Sequence, residues 1–529
     1  MAHILRLTSS AFSSISFTSG TQTLLEYVPT AGLSEIFDVT TETISFMITG
    51  ANTAAISAVI TSINAALELA ERRYDTGRGE RVYIEFQPEN YTAAYRAELV
   101  RERPGSPIGM LTFPPETLGW PWGTLKVEVQ FVFTRANAWE ASAETELSLS
   151  NGGGSGTGGR VIYNYHTAAV FSGITVSFDG TLNRISDSGN GFGIFEIGDV
   201  ISLRGSTIND GIYTVKAVDA GGAYIDVNEL AVSDEPAGDT VVIYDIQDYV
   251  HIDSAAIAGD LPARCRVELT NTDAGDALET TWIGQNYLAS PEAFPHILEI
   301  GDSNTGSDSV DATSASGIKR VYAIAAAEAK VTGWTLPSAM LTSASGGYFK
   351  VLCRFAAATN ITAVKWRLKL LFSGTVIWQG GQVQFDDTYA AISTLIREID
   401  TAQLPPFVPE NSAPMDLVLE LWGIRTGGAI DVNIDCLKLL ALDGYRKLYS
   451  LNGIAQNAVL KDDGVTSTYY QDISSKQVRD ISPTGKQLVL WPGVDNRIYF
   501  ALHSIVANTA DRDRAASVRI YYRPRRITL

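Results

Sequence analysis

Residues 125–140 read LKVEVQFVFTRANAWE. From Leu125 to Arg135 apolar and polar side chains alternate, the period of a strand with one face buried and the other in water. Arg81–Gln87 (RVYIEFQ) and Tyr95–Arg101 (YRAELVR) repeat that pattern upstream. Over Ala51–Asp75 the period changes. Ile56, Val59, Ile60, Ile63, Leu67 and Ala70 fall three or four residues apart, which gathers them on one face of a helix. Asn52 or Thr53 can cap its start, and Arg72 and Arg73 suit its negative end. Residues 1–150 are therefore expected to form a β-sheet domain covered by one amphipathic helix over 51–75.

Downstream, Asn151–Gly159 (NGGGSGTGG) is a flexible linker by composition. It holds a G-x-G-x-x-G spacing from Gly154 to Gly159. A nucleotide-binding turn needs a helix after it, whereas the strand pattern Arg160–His166 (RVIYNYH) follows, so 151–167 reads as linker and connecting strand. In 168–246 the runs Phe195–Leu203 and Gly211–Val218 are short strands, with Asn209-Asp210-Gly211 as a tight turn between them. Strands this short with turns this frequent predict a small β-barrel. Region 247–446 carries strand candidates at Ala263–Thr270, Tyr348–Phe355, Ala363–Phe372, Thr375–Phe385, Met415–Gly423 and Ile430–Leu440, which fit a two-sheet jelly-roll sandwich. Residues 447–529, with Gln487–Phe500 (QLVLWPGVDNRIYF) and Ser517–Arg526 (SVRIYYRPRR), are expected to form a C-terminal β domain. The fold class expected is mainly β.

Composition narrows the function. The chain has 529 residues, 45% of them hydrophobic and 19% charged, with a net charge of −19. Disorder is excluded by the apolar content and a coiled coil by the absence of a sustained heptad. Broad nucleic-acid binding needs a basic footprint that is missing. The first residues, MAHILRLTSSAFSSISF, do not form a secretory signal peptide, and no membrane span of roughly 18 apolar residues is read. Cys265, Cys353 and Cys436 each sit in an alternating run and read as free core thiols, consistent with synthesis in a cytoplasm.

Few residues point to chemistry. His3, His166, His251, His296 and His503 include no i, i+4 pair beside an acid, so a zinc-hydrolase signature is missing. Neither a G-x-S-x-G elbow nor a G-x-x-x-x-G-K-[ST] loop occurs. Asp302-x-Asn304-x-Gly306-x-Asp308 begins like a calcium loop, but Thr313 stands where the twelfth-position acid belongs, so a solvated loop is the better reading. Trp282, Trp334, Trp366, Trp378 and Trp422 lie in 247–446. Tryptophan in a strand is first a core residue. Coplanar exposed rings would stack on sugars, which makes host glycans the second reading. Arg512, Arg514, Arg519, Arg523, Arg525 and Arg526 form the one basic run. Alternation in SVRIYYRPRR predicts outward arginines that pair with acidic neighbours or an adjacent subunit. No catalytic, cofactor-binding or metal-ligating residue is assigned, and the chain reads as a non-enzyme.

Several of these stretches together resemble phage tail proteins, particularly the distal tail (baseplate hub) proteins of long non-contractile tails. Thr134, Arg135, Trp139 and Glu140 are similar to a T-R-x-x-x-W-E ending of that family's β-domain. Leu490, Pro492, Gly493, Asn496 and Ile498 resemble an L-x-P-G-x-N-x-I hairpin, with one residue more between Gly and Asn. The closing YYRPR is also similar, residues 168–246 resemble β modules inserted in phage structural proteins, and 247–446 resembles carbohydrate-binding-type jelly rolls. The resemblance covers about a third of the chain. It implies a homo-oligomeric ring in the virion tail, made in the host cytoplasm, joining the tube to the tip. Other tail proteins would be its partners, and DNA would pass its lumen without specific binding. A negative lumen would repel DNA, which suits the charge of −19. Three alternatives stand beside it: a tail tube protein with decorative outer domains, a host-glycan adhesin, and a polysaccharide-active enzyme.

Overall fold

The computed structural model describes residues 4–29, 39–89, 91–113, 125–150, 155–156, 159–165, 169–227, 232–273, 277–288, 296–299, 306–310, 318–336, 348–356, 361–385, 395–403, 417–442, 444–464, 468–474, 476–504 and 514–529. The chain is mainly β, with antiparallel sheets throughout and one α-helix among the described residues. It divides into two compact units. The first comprises Met1–Thr145, Ala258–Ala263 and Tyr522–Leu529, and the second Glu146–Ile257 and Arg264–Tyr521.

In the first unit the stretch quoted above becomes the strand Leu125–Ala136. It pairs antiparallel along its whole length with Val39–Gly50, from Ala136 opposite Val39 to Leu125 opposite Gly50. Gln22–Glu26 and Gly109–Thr112 flank this pair and complete a four-stranded sheet. A second, six-stranded sheet runs in the order Phe12–Ser16, Ile4–Ser9, Tyr83–Gln87, Tyr95–Glu98, Trp139–Ala141, Arg525–Arg526. Leu5, Leu7, Ile84, Phe46, Phe131 and Trp139, from both sheets, share one core with the helix. That helix, Thr53–Thr76, buries Ile56, Ile63, Ala66, Leu67 and Ala70, the stripe its periodicity demands. Asn52 caps it by accepting from the Ala55 amide at 2.9 Å. Gly77, at φ 65°, ends it in the left-handed conformation glycine adopts without strain. By length and composition this helix could also cross a membrane, a point the sequence expectation missed. In this fold its apolar stripe is covered by the two sheets instead.

The second unit holds three β assemblies. Residues 169–245 form seven strands in the order Ala169–Gly173, Val241–Asp245, Val200–Arg204, Gly211–Val218, Tyr224–Val227, Arg184–Asp187, Val176–Asp179. This corrects the expected small barrel. The sheet curls round Phe192, Ile201, Leu203, Val215, Ile225 and Ile243, yet its two end strands do not pair, so no closed barrel forms. The turn expected at Asn209-Asp210-Gly211 is a longer loop. Gly211 already pairs with Leu203, and Asn209 is buried, donating to Glu235 at 2.7 Å.

The sandwich follows. One six-stranded sheet runs Ser307–Val310, Ile318–Ile324, Ile430–Ala441, Tyr348–Phe355, Leu395–Gln403, with Ile297–Glu299 also pairing Ile430–Ala441; the other, five-stranded, runs Ala329–Leu336, Leu417–Arg425, Val364–Phe372, Thr375–Gln379, with Val383–Gln384 also pairing Val364–Phe372. Trp334, Phe349, Trp366, Leu368, Leu421 and Ile434 pack between them. Ala263–Asn271, expected in this sandwich, pairs instead with Val459–Asp463 and lies beside Ala515–Tyr522. Leu278–Leu288 sits between Gly444–Ile454 and Asp495–Ser504. The C-terminal sheets thus recruit strands from before the sandwich. Arg525–Arg526, at the chain's end, pairs with Trp139–Glu140 inside the first unit.

Candidate functional site

The T-R-x-x-x-W-E residues build a buried lock. Arg135 lies on the inward face of its strand and pairs with Glu42 on the facing strand at 2.6 Å. Both side chains are essentially inaccessible to water. The Arg135 guanidinium also sits 4.3 Å from the Trp139 ring centroid and donates to the carbonyls of Ala136 and Asn137. Tyr27 donates its hydroxyl to the other Glu42 oxygen at 2.7 Å. Burial, then the Glu42 charge, raises the Tyr27 hydroxyl far above its ordinary value, which keeps it a donor. Arg135 therefore fixes the strand–turn–strand geometry around Trp139. Glu140 lies on the other face, 3.8 Å from Arg525.

The second motif builds a rigid loop. The Asn496 side chain donates to the carbonyls of Trp491 (3.3 Å) and Val494 (2.9 Å), while its oxygen accepts from Gln285 at 3.0 Å. Gly493 turns the loop at φ 75°, and Trp491 stands 46% exposed upon it. The next residue, Arg497, is buried and donates to the Gly198 carbonyl at 2.7 Å, which ties the seven-stranded module to the C-terminal sheet.

Two further buried groups lie between the parts of the second unit. Asp248, at the exit from that module, meets His296 Nε2 at 2.5 Å and Lys438 Nζ at 2.7 Å. Burial alone would raise the Asp248 carboxyl, but His296 and Lys438 hold it below the usual carboxylate range. Burial lowers the His296 imidazole. The trio is sealed from solvent, so it clamps chain segments and presents nothing to a substrate. Asp199 and Asp245 are the second group. Burial pushes Asp199 up to about 6 despite the amide of Glu196 bonding to it. Burial, then the Asp199 charge, pushes Asp245 up to about 7. Asp245 Oδ1 has no hydrogen-bond partner. Sequence reasoning missed this acid, although a signal was present: Val241, Ile243 and Asp245 occupy the same inward face of one strand.

The expected tryptophans separate. Trp282, Trp334 and Trp366 are core residues, and Trp378 is half-buried against the same core. Trp282 Nε1 donates to Glu398, where Tyr445 and Lys447 also converge. Trp422 is half-buried on the outer face of the five-stranded sheet. Lys369 Nζ sits 3.3 Å from its ring centroid and Glu420 accepts from its indole at 2.8 Å. The structure does not bring the five rings into one row.

Of the arginine run, Arg512 lies outside the described residues, as do the calcium-like positions Asp302, Asn304 and Thr313, and His3 and His166. Arg514 is buried against Asp273 at 2.7 Å; Arg519, Arg523 and Arg525 each stand 3.8 Å from Glu146, Glu144 and Glu140 respectively. Arg526 lies over the Tyr91 and Tyr95 rings. Arg519, Arg523 and Arg525 face acids, as alternation predicted, whereas Arg514 is buried and Arg526 lies over aromatic faces, which alternation did not predict. The three cysteines are free and buried. His251 and His503 stand 4.0 and 3.9 Å from Asp495 and Glu279. Among the described residues no cluster of three or more His, Cys, Asp or Glu could hold a metal ion.

The remaining surface of note is in the first unit. Gln22–Glu26 and Gly109–Thr112 are the outermost strands of the four-stranded sheet. Each edge strand carries one large exposed apolar side chain and the residues just past it a second: Leu25 (47%) and then Val28 (75%), Met110 (48%) and then Phe113 (50%).

Neither a family model nor a curated protein matches the chain. Among solved structures it is similar to the phage P2 baseplate in its activated conformation with calcium, at 11% identity and a TM-score of 0.23, over 54% of this chain and 73% of that one. It is also similar to the insecticidal delta-endotoxin Cry8Ea1 from Bacillus thuringiensis, at 11% identity and a TM-score of 0.20, over 56% and 52%. The infectious bursal disease virus VP2 subviral particle gives 9% identity and a TM-score of 0.14, over 68% and 81%. Likenesses this slight assign the chain to no family.

Proposed function

We propose that this chain is a structural, non-catalytic protein of a phage tail. It works as a homo-oligomeric ring at the distal end that links tube to tip and leaves a lumen for DNA. The observation that carries this reading is the pair of apolar-bearing edges of the four-stranded sheet, which meet no further strand among the described residues. An exposed strand edge is a template for another strand, and native proteins usually blunt it with charge, proline or cover. Here Leu25, Val28, Met110 and Phe113 leave it adhesive, which suits a protein that is covered by its own copies and its neighbours in the tail.

The two motifs support the reading by what they do: each holds a backbone turn rigid, the role of a scaffold. The charge of −19 suits a wall past which DNA slides. Electron microscopy of the purified full chain, with immunogold labelling of intact virions, tests the proposal. Rings with a central opening and label confined to one tail end are expected. A chain that stays monomeric and labels no tail overturns it; label along the whole tail favours the tube reading. A second reading, glycan binding by the sandwich, is favoured by Trp422, the tryptophan on the outer face of the five-stranded sheet.

A further inference from the structure

Beside the helix of the first unit, a groove of about 750 Å³ opens between Ser62–Arg72 and the strand Phe12–Ser16. That strand is the outermost of the six-stranded sheet, so its outer backbone groups meet no strand among the described residues. Phe12, Ser13 and Ile15 form one wall, and Ala65, Glu68, Leu69 and Arg72 the other. An open strand edge beside a helix wall in which Ser62, Ala65 and Ala66 leave room is the geometry an added strand fills. Main-chain hydrogen bonds go to the edge, and alternate side chains enter the groove.

The same unit carries a strand with the matching features. Gln22–Glu26 is the outermost strand of the other sheet. Its pairing with Val39–Gly50 slips between Leu24 and Glu26, so Leu25 is an extra, bulged residue. A bulge re-aims a side chain, and Leu25 is aimed outward. Glu26 follows it, exposed and without an ion pair among the described residues. Arg72, at the groove mouth, is likewise exposed and forms no ion pair among the described residues, although Glu68, one turn before it on the helix, lines the same groove.

We propose that the groove receives the Gln22–Glu26 edge of a second copy of this chain, with Leu25 set against Phe12, Ile15 and Leu69 and Glu26 opposite Arg72. Donor strand and acceptor groove are different surfaces of one protomer, so the contact is head-to-tail. Such contacts close into rings when the rotation between copies permits it. The inference rests on the ring reading and adds its subunit contact.

A charge swap in the full chain tests it. Glu26→Arg sets two cations together, Arg72→Glu sets two acids together, and the double variant restores a pair with its signs reversed. All the altered side chains are exposed, and circular dichroism checks that each variant folds. Sedimentation velocity across a dilution series reads the concentration at which assembly is half complete. Like charges facing each other across a contact are expected to raise it about tenfold or more in each single variant, with the double variant returning most of the way. Leu25→Asp is expected to weaken assembly with no rescue by either swap. If the wild type forms rings that the single swaps leave unchanged, or the double variant is no better than the singles, this contact is overturned while the ring reading stands. A wild-type chain that never assembles overturns both.

Discussion

Asp245→Asn should remove most of the pH dependence of the seven-stranded module above pH 6. Asp245 is inward-facing, and its Oδ1 has no hydrogen-bond partner. Burial and the Asp199 charge push its carboxyl from 3.8 up to about 7. A folded-state value above the unfolded one means that the folded module holds the proton more tightly. The associated stability is fully present below about pH 4 and is lost as the pH rises through about 7. At about 1.4 kcal/mol per pH unit, the whole rise corresponds to roughly 4 kcal/mol. Water reaching the partly open side of the carboxyl trims the expectation to about 2 kcal/mol. Asp199, raised to about 6, loses its own contribution mainly below pH 6, so the interval from pH 6 to 8 isolates Asp245. Hydrogen exchange of Val200–Arg204 and Val241–Asp245, corrected for the intrinsic rate at each pH, gives the opening free energy directly. In the wild type it should fall between pH 6 and 8; in the variant it should be nearly flat and higher at pH 8. A flat wild-type profile, or the same slope in both proteins, would refute the reasoning.

Other outcomes follow from the same geometry. Arg135→Met leaves the buried Glu42 carboxyl without its cation, though Tyr27 still donates to it, and should cost the first unit about 3–5 kcal/mol in a urea titration. Adding Glu42→Gln should recover at least half of that loss, and a double variant no more stable than Arg135→Met would count against the lock. Trp422→Ala, on the outer face of the five-stranded sheet, removes the ring under Lys369 and the indole that donates to Glu420, and should cost about 1–2 kcal/mol in a urea titration while the chain stays folded. On a glycan array it should abolish whatever sugar binding the wild type shows; full retention removes the second reading.

The helix over 53–76 was legible because its signal is local. The spacing of Ile56, Ile63 and Leu67 and the cap at Asn52 are fixed by neighbours one or two turns away. The alternating strand of 125–136 was legible for the same reason, and so was the burial of the cysteines and of Trp334 and Trp366. Alternation states that one face of a strand is buried and does not name the strand that pairs with it. Ala263–Asn271 alternates as well as any sandwich strand, yet its backbone groups bond to Val459–Asp463. The seven-stranded module shows the same limit. Its short strands and frequent turns were readable, but whether the end strands meet depends on the curl of the assembled sheet.

By itself the sequence determined a mainly β chain, acidic and cysteine-poor, with one amphipathic helix and no catalytic motif, because composition and short-period patterns are set within a few residues. Only the tertiary structure decided that Arg135 meets Glu42 and Tyr27, that Asp245 lies buried near Asp199, and that Arg525 and Arg526 extend the sheet begun at the N-terminus. It also decided that a strand edge with no neighbour among the described residues lies beside the helix and that another carries Leu25 outward. Each of these joins residues far apart in the chain, and their energies come from burial and hydrogen bonding that exist only once the sheets have closed over the core.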